Sequence, residues 1–143
     1  MRETYNFRPV DNTLATAGLP TEAQLRSVAE HGFEVVINLA IDNTEAALVE
    51  ALGLNYIHIP VNFAAPTEPD LLKFFDAMDT HAASKRFVHC AANKRVSVFI
   101  ALYRVIRLNW DRDPAFDLVR DLWQPDPIWQ SFIEQMLAKH AGK

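Results

Sequence analysis

The chain has 143 residues, half of them hydrophobic and 22% charged, with a formal net charge of −4. That balance fits one globular domain over residues 1–143 and argues against broad nucleic-acid binding and against disorder. No run reaches membrane-spanning length, the opening MRETYNFRPV lacks a secretory apolar stretch, and the lone cysteine, Cys90, has no internal partner for a disulfide. These features set an expectation of a reducing cytoplasm, with no membrane and no nucleic acid as partner.

In chain order, NTLATAG is an apolar segment stopped by the turn Gly18-Leu19-Pro20. Thr21 and Gln24 have capping-box spacing and open a helix through Leu25, Val28 and Ala29 to His31-Gly32. FEVVINLA is continuous and β-branched, as expected of a strand buried on both faces. Asn43 or Thr44 is placed to cap a short helix over Ala46 to Leu52, ended by Gly53. LNYIHIPV is the next strand, with regular pairing expected to end at Pro60. NFAAPTEPD reads as a loop, and the helix after it carries Leu71, Phe74, Phe75 and Met78 on one face. RFVHC is a short strand and VSVFIALYRVIRL a long apolar helix. Asp113-Pro114 and Asp126-Pro127 each read as an N-cap followed by a first-position proline, opening AFDLVRDLW and IWQSFIEQML. Alternating strands and helices predict an α/β fold with a short, mostly parallel sheet flanked by helices.

Cys90 therefore falls at the carboxyl end of a strand, before a loop that turns into a helix. Ligands of open α/β sheets collect at that edge. The helix start offers free N–H groups and the positive end of a dipole, which favour an anion. Lys94 and Arg95 add positive field that favours the thiolate, and Arg95 suits bidentate pairing with an oxyanion. An inert core thiol is the competing reading of a lone cysteine; the strand–loop–helix context weighs against it. Among the other polar residues, His58 reads as a packed or edge residue and Arg104 and Arg107 as a solvated helix edge. Lys85 and Arg86 precede the strand, at the end away from the site. The histidines show no metal-ligand spacing, and nothing calls for a cofactor.

FVHCAANKRVS, with LATAGLPTEAQLRSVAEHGFEVVINLA and LNYIHIPV upstream, resembles the cysteine-dependent phosphatases. The nearest likeness is to a bacterial dual-specificity/tyrosine-phosphatase-like family, the beta-lactamase-hydrolase-like phosphatases, over roughly residues 12–108. The resemblance implies a cysteine-phosphatase-like fold and a phosphorylated small molecule or phosphoprotein as substrate. It implies Cys90 as nucleophile, with the amides of Ala91, Ala92, Asn93, Lys94 and Arg95 and the Arg95 guanidinium holding the phosphate. Ser97 would stabilise the leaving thiolate, and His89 would tune the cysteine.

Two departures qualify it. Four residues separate Cys90 from Arg95 where the phosphatase signature has five, so Val96 stands in the arginine slot while Ser97 keeps the hydroxyl slot. Asn93 stands near the usual glycine, as the residue that best tolerates a left-handed backbone. The general acid expected after the preceding strand is also missing, since that loop begins Pro60-Val61-Asn62-Phe63. Glu68 and Asp70 are the substitutes in reach along the chain, although both also read as carboxylates at a helix start. General acid catalysis is worth about 10²–10⁴-fold, so phenolic leaving groups should suffer least from its loss. Two alternatives stay open: a rhodanese-type sulfurtransferase carrying a Cys90 persulfide, and a phosphate-binding pseudophosphatase without turnover.

Overall fold

A computed structural model of the chain describes residues 4–141. Five short strands, β1 (Arg8–Asp11), β2 (Leu14–Ala17), β3 (Val35–Asn38), β4 (Asn55–His58) and β5 (Arg86–His89), form one sheet in the order β1-β2-β5-β3-β4. All neighbours pair in parallel except β1, which is antiparallel to β2. The fold is thus the expected α/β arrangement with a short, mostly parallel sheet. The apolar segment NTLATAG proves to be the second arm of a hairpin whose first arm, Arg8–Asp11, alternates too weakly to stand out.

Between the strands run α1 (Glu22–Glu30), α2 (Ala46–Ala51) and α3 (Glu68–Thr80), and α4 (Lys94–Ile106) follows β5. The chain then continues through α5 (Arg112–Ala115), α6 (Asp117–Leu122) and α7 (Pro127–His140). The Thr21–Gln24 capping box forms in full. Thr67 caps α3 and Asp126 caps α7, each with proline in the first turn. Four expected helix starts move, the first being α3, which begins at Glu68 inside the segment NFAAPTEPD read as a loop. Glu45, not Asn43 or Thr44, is the N-cap of α2, because Asn43 accepts from the Tyr56 hydroxyl and the Thr44 amide is engaged by Asp42. Asp113 lies inside α5, which begins after Asp111, and a break at Phe116 splits the expected single helix in two. The long apolar helix starts at Lys94 rather than Val96.

Leu25, Val28, Phe33, Val49 and Phe87 pack together against one face of the sheet. The larger core on the other face joins α3, α4 and α7 through Phe74, Phe99, Trp129 and Phe132. β5 lies between these two cores with every residue buried, the polar Arg86 and His89 at its ends included. Arg104 corrects the solvated-edge expectation: it is buried, bonds Asp117 at 2.9 Å and stacks 4.4 Å over Trp110. Arg107 is exposed and pairs with Asp79. His58 is the packed residue expected, donating from Nε2 to the Ala40 carbonyl at 2.6 Å.

Candidate active site

The loops after β2, β3, β4 and β5 share one sheet edge because those strands are parallel. β5 has β2 on one side and β3 on the other, so the residue that follows it enters a switch point in strand order. That residue is Cys90, a free and fully buried thiol. The chain then needs only Ala91, Ala92 and Asn93 to reach α4. Asn93 makes the turn in the left-handed region, with φ 64° and ψ 6°, the conformation expected of it in place of glycine.

This loop is clamped from the N-terminal side. The Leu19 amide donates to the Ala91 carbonyl at 3.0 Å and the Asn6 side chain to the Ala92 carbonyl at 3.0 Å. Asn93 Nδ2 donates to the Asn6 carbonyl and to Thr16 Oγ1, both at 2.9 Å. Gly18 permits the close approach, since a Cβ there would lie 2.7 Å from the Ala91 carbonyl oxygen and 2.8 Å from the Tyr5 ring. With the carbonyls held in this way, no hydrogen bond to another described residue engages the amides of Ala91, Lys94, Arg95 or Val96. Unclaimed N–H groups at the first turn of a thirteen-residue helix have the polarity that suits an oxyanion.

The expected residues divide by what they touch. His89 is fully buried, with Nε2 2.6 Å from a Glu45 carboxylate oxygen and Nδ1 3.5 Å from the Cys90 carbonyl oxygen. Arg95 is buried and donates to the Val61 carbonyl at 2.9 Å, with its guanidinium 5.9 Å over the Phe63 ring. Ser97 donates to the Lys94 carbonyl at 2.6 Å and accepts from Trp123 Nε1 at 3.0 Å. Lys94 lies 5.5 Å over the Trp123 ring. Phe63, Trp123 and Trp129 pack against one another, and Trp129 Nε1 donates to the Phe63 carbonyl at 2.7 Å. Two of the three tryptophans thus fasten the β4 loop beside Arg95; the third, Trp110, packs on Arg104.

The acid candidates are held elsewhere. Glu68 is bonded by Lys139 at 2.7 Å and lies 2.6 Å from His140 Nε2, and these hydrogen bonds hold its carboxyl below the usual range. A carboxyl kept ionised is in the wrong state to give a proton. Asp70 accepts from Thr67 Oγ1 at 3.0 Å. Neither shares a hydrogen bond or ion pair with residues 90–97 among the described residues. Nothing in the sequence points to Glu45, Asn6 or Thr16. Each lies far along the chain from the group it holds, and no local pattern marks such pairs.

The family model of a DSP-PTPase phosphatase fused to NAD+ kinase matches residues 3–122. No curated protein matches the chain. Among solved structures, a DUF442 protein of Shewanella putrefaciens CN-32 is 31% identical, with a TM-score of 0.85 over 97% of this chain and 95% of that one. Tk-PTP in its active form shares the fold at 19% identity, with a TM-score of 0.79 over 92% of this chain and 95% of its own. So does P. aeruginosa TpbA in complex with pTyr, at 16% identity and a TM-score of 0.73 over 96% and 91%.

Proposed function

The chain belongs to the family of DSP-PTPase phosphatase domains fused to NAD+ kinase, and from that premise we propose that it hydrolyses phosphomonoesters through Cys90. The observation that carries the reading is the run of unclaimed amides at Ala91, Lys94, Arg95 and Val96 beside a cysteine at the strand end. Four donors and a helix dipole there favour a phosphoryl group over a neutral ligand. Cys90 Sγ, as thiolate, attacks phosphorus. The S–P bond forms as the ester P–O bond breaks, and the oxygen leaves with its electron pair. Water then attacks the phosphocysteine, releasing inorganic phosphate and restoring the thiolate. The incoming oxyanion draws Arg95 from the Val61 carbonyl, because a dianion is the stronger acceptor. Ser97 eases departure of the thiolate, and Glu45 holds the His89 ring against the loop. Asp70 is the remaining candidate for the proton donor. A reducing cytoplasm, which keeps the single thiol free, completes the reading.

The substrate is phosphorylated, and its leaving group is aromatic or otherwise apolar. Tyr5, Leu19, Ile41 and Phe63 are exposed, and they sit beside the Cys90 loop or on loops of the same sheet edge. An aryl alcohol also departs with least help from a general acid. The pTyr bound to TpbA is of that class. Hydrolysis of para-nitrophenyl phosphate tests the reading. Turnover should vanish in Cys90→Ser while that variant still binds inorganic phosphate. Undiminished turnover in Cys90→Ser refutes it, and phosphate binding without turnover in the unaltered protein would identify a pseudophosphatase.

A further inference from the structure

Four residues before Cys90, at the opposite end of the strand and so roughly 13 Å away, β5 begins with Arg86. The residue is buried, with 7% relative exposure. Its three contacts are long: Nη1 to the Met78 carbonyl at 3.4 Å and to Met78 Sδ at 3.7 Å, and Nη2 to Thr13 Oγ1 at 3.5 Å. Nε has no partner at all among the described residues, and no described carboxylate lies within ion-pair distance of the guanidinium. A buried guanidinium without a counter-ion is costly, because five strong donors and a full charge have left water uncompensated. Burial accordingly pushes its proton affinity below that of an ordinary arginine, with the charges of Tyr103 and Asp11 opposing.

Arg86 faces a cavity of about 240 Å³ whose other walls are largely apolar, including Leu14, Met78, Ile100 and Leu108. Three of the remaining polar side chains of the lining already have partners. Arg104 is paired with Asp117 and stacked on Trp110. The Tyr103 hydroxyl donates to Asp79 at 2.7 Å. Asp11 is turned onto the Thr13 amide at 2.7 Å and hydroxyl at 3.0 Å. One unmet cation therefore stands in an apolar chamber. Its planar fork matches the two oxygens of a carboxylate. The walls offer no second free cation and no helix start, which a phosphate dianion would need.

We propose that this cavity is a second ligand site, separate from the Cys90 loop, that takes a small monocarboxylate with an alkyl or aryl body, its carboxylate on Arg86. The volume admits an acid of a few carbons rather than a long lipid chain.

The test uses the full chain, ¹⁵N-labelled, titrated with hexanoate and benzoate while the Arg86 Nε–H and the Ile100 and Tyr103 signals are followed by NMR. Hexanamide, which has the same body without the charge, and inorganic phosphate are the controls. The expected result is a saturable shift of the cavity signals with either acid and none with hexanamide or phosphate. Affinity should be about tenfold or more weaker in Arg86→Met and unchanged in Cys90→Ser, so the outcome is independent of the catalytic reading. No saturable shift with either acid, equal binding of hexanamide, or full affinity in a folded Arg86→Met overturns the proposal. Shifts at these residues by phosphate alone overturn the carboxylate assignment. Should Arg86→Met fail to fold, the comparison of hexanoate with hexanamide on the unaltered protein decides.

Discussion

Replacing Asn93 separates the two things it does for the Cys90 loop. Its side chain is fully buried and spans the Asn6 carbonyl and Thr16 Oγ1, while its backbone holds φ 64°. Each hydrogen bond is worth about 1 kcal/mol net. Release of the unpartnered Asn93 Oδ1 from burial returns part of that, again about 1 kcal/mol. Asn93→Gly loses the bonds but relaxes the left-handed backbone, so it should destabilise by about 1 kcal/mol. Asn93→Ala loses the same bonds and keeps a Cβ on a left-handed backbone without the side chain that lets asparagine tolerate it, so it should be about 1–2 kcal/mol less stable than the glycine variant, for a total of about 2–3 kcal/mol. Urea unfolding at constant m-value measures both. The functional counterpart is that Asn93→Gly keeps affinity for inorganic phosphate, because the loop keeps its path, whereas Asn93→Ala loses it. Equal stability of the glycine and alanine variants would refute the left-handed turn as a constraint. A glycine variant as stable as the unaltered chain would refute the clamp.

Three further outcomes follow from named contacts. Glu45→Gln keeps an acceptor for His89 Nε2 and should retain most of the stability. Glu45→Ala leaves the buried ring without one and should lose about 1–3 kcal/mol together with aryl phosphate turnover, as denaturant unfolding and steady-state rates will show. Glu68 has a depressed folded-state pKa, so its contribution is present above the ordinary carboxyl value of 4.5 and is lost as pH falls through the folded value. Glu68→Gln should therefore flatten the acid side of the stability profile and leave turnover unchanged; a collapse of turnover would make Glu68 the proton donor after all. Tyr103 is pushed up to about 12 by burial and then by its bond to Asp79. The fold thus favours its protonated form, and that stability is present below pH 10.0 and lost as pH rises towards about 12. Tyr103→Phe should remove about 2–3 kcal/mol of that alkaline loss, measured by urea unfolding at stepped pH, and an unchanged profile would contradict it.

What could be read before the fold was known was local. The Thr21–Gln24 box, the Asp126-Pro127 start and the apolar run before Cys90 act within a few residues, and each formed. Asn93 was legible because only a short list of residues accepts its backbone angles. Failures came where a distant group outcompeted a local one: the Tyr56 hydroxyl takes the Asn43 side-chain oxygen that could have capped α2. Arg104 reads as a surface charge until Asp117 and Trp110 close over it. Glu45 and His89 are 44 residues apart, and only the parallel pairing of β3 with β5 brings their loops together.

The claim that matters most is the covalent role of Cys90, and trapping the intermediate tests it directly. The protein is mixed with an aryl phosphate, quenched in acid within the first turnovers and digested, and the peptide containing Cys90 is weighed by mass spectrometry. The account predicts a phosphoryl group on Cys90, absent from Cys90→Ser and lost on longer incubation. A Cys90 peptide that stays unmodified at every quench time, or a phosphoryl group carried by any other residue, would contradict it.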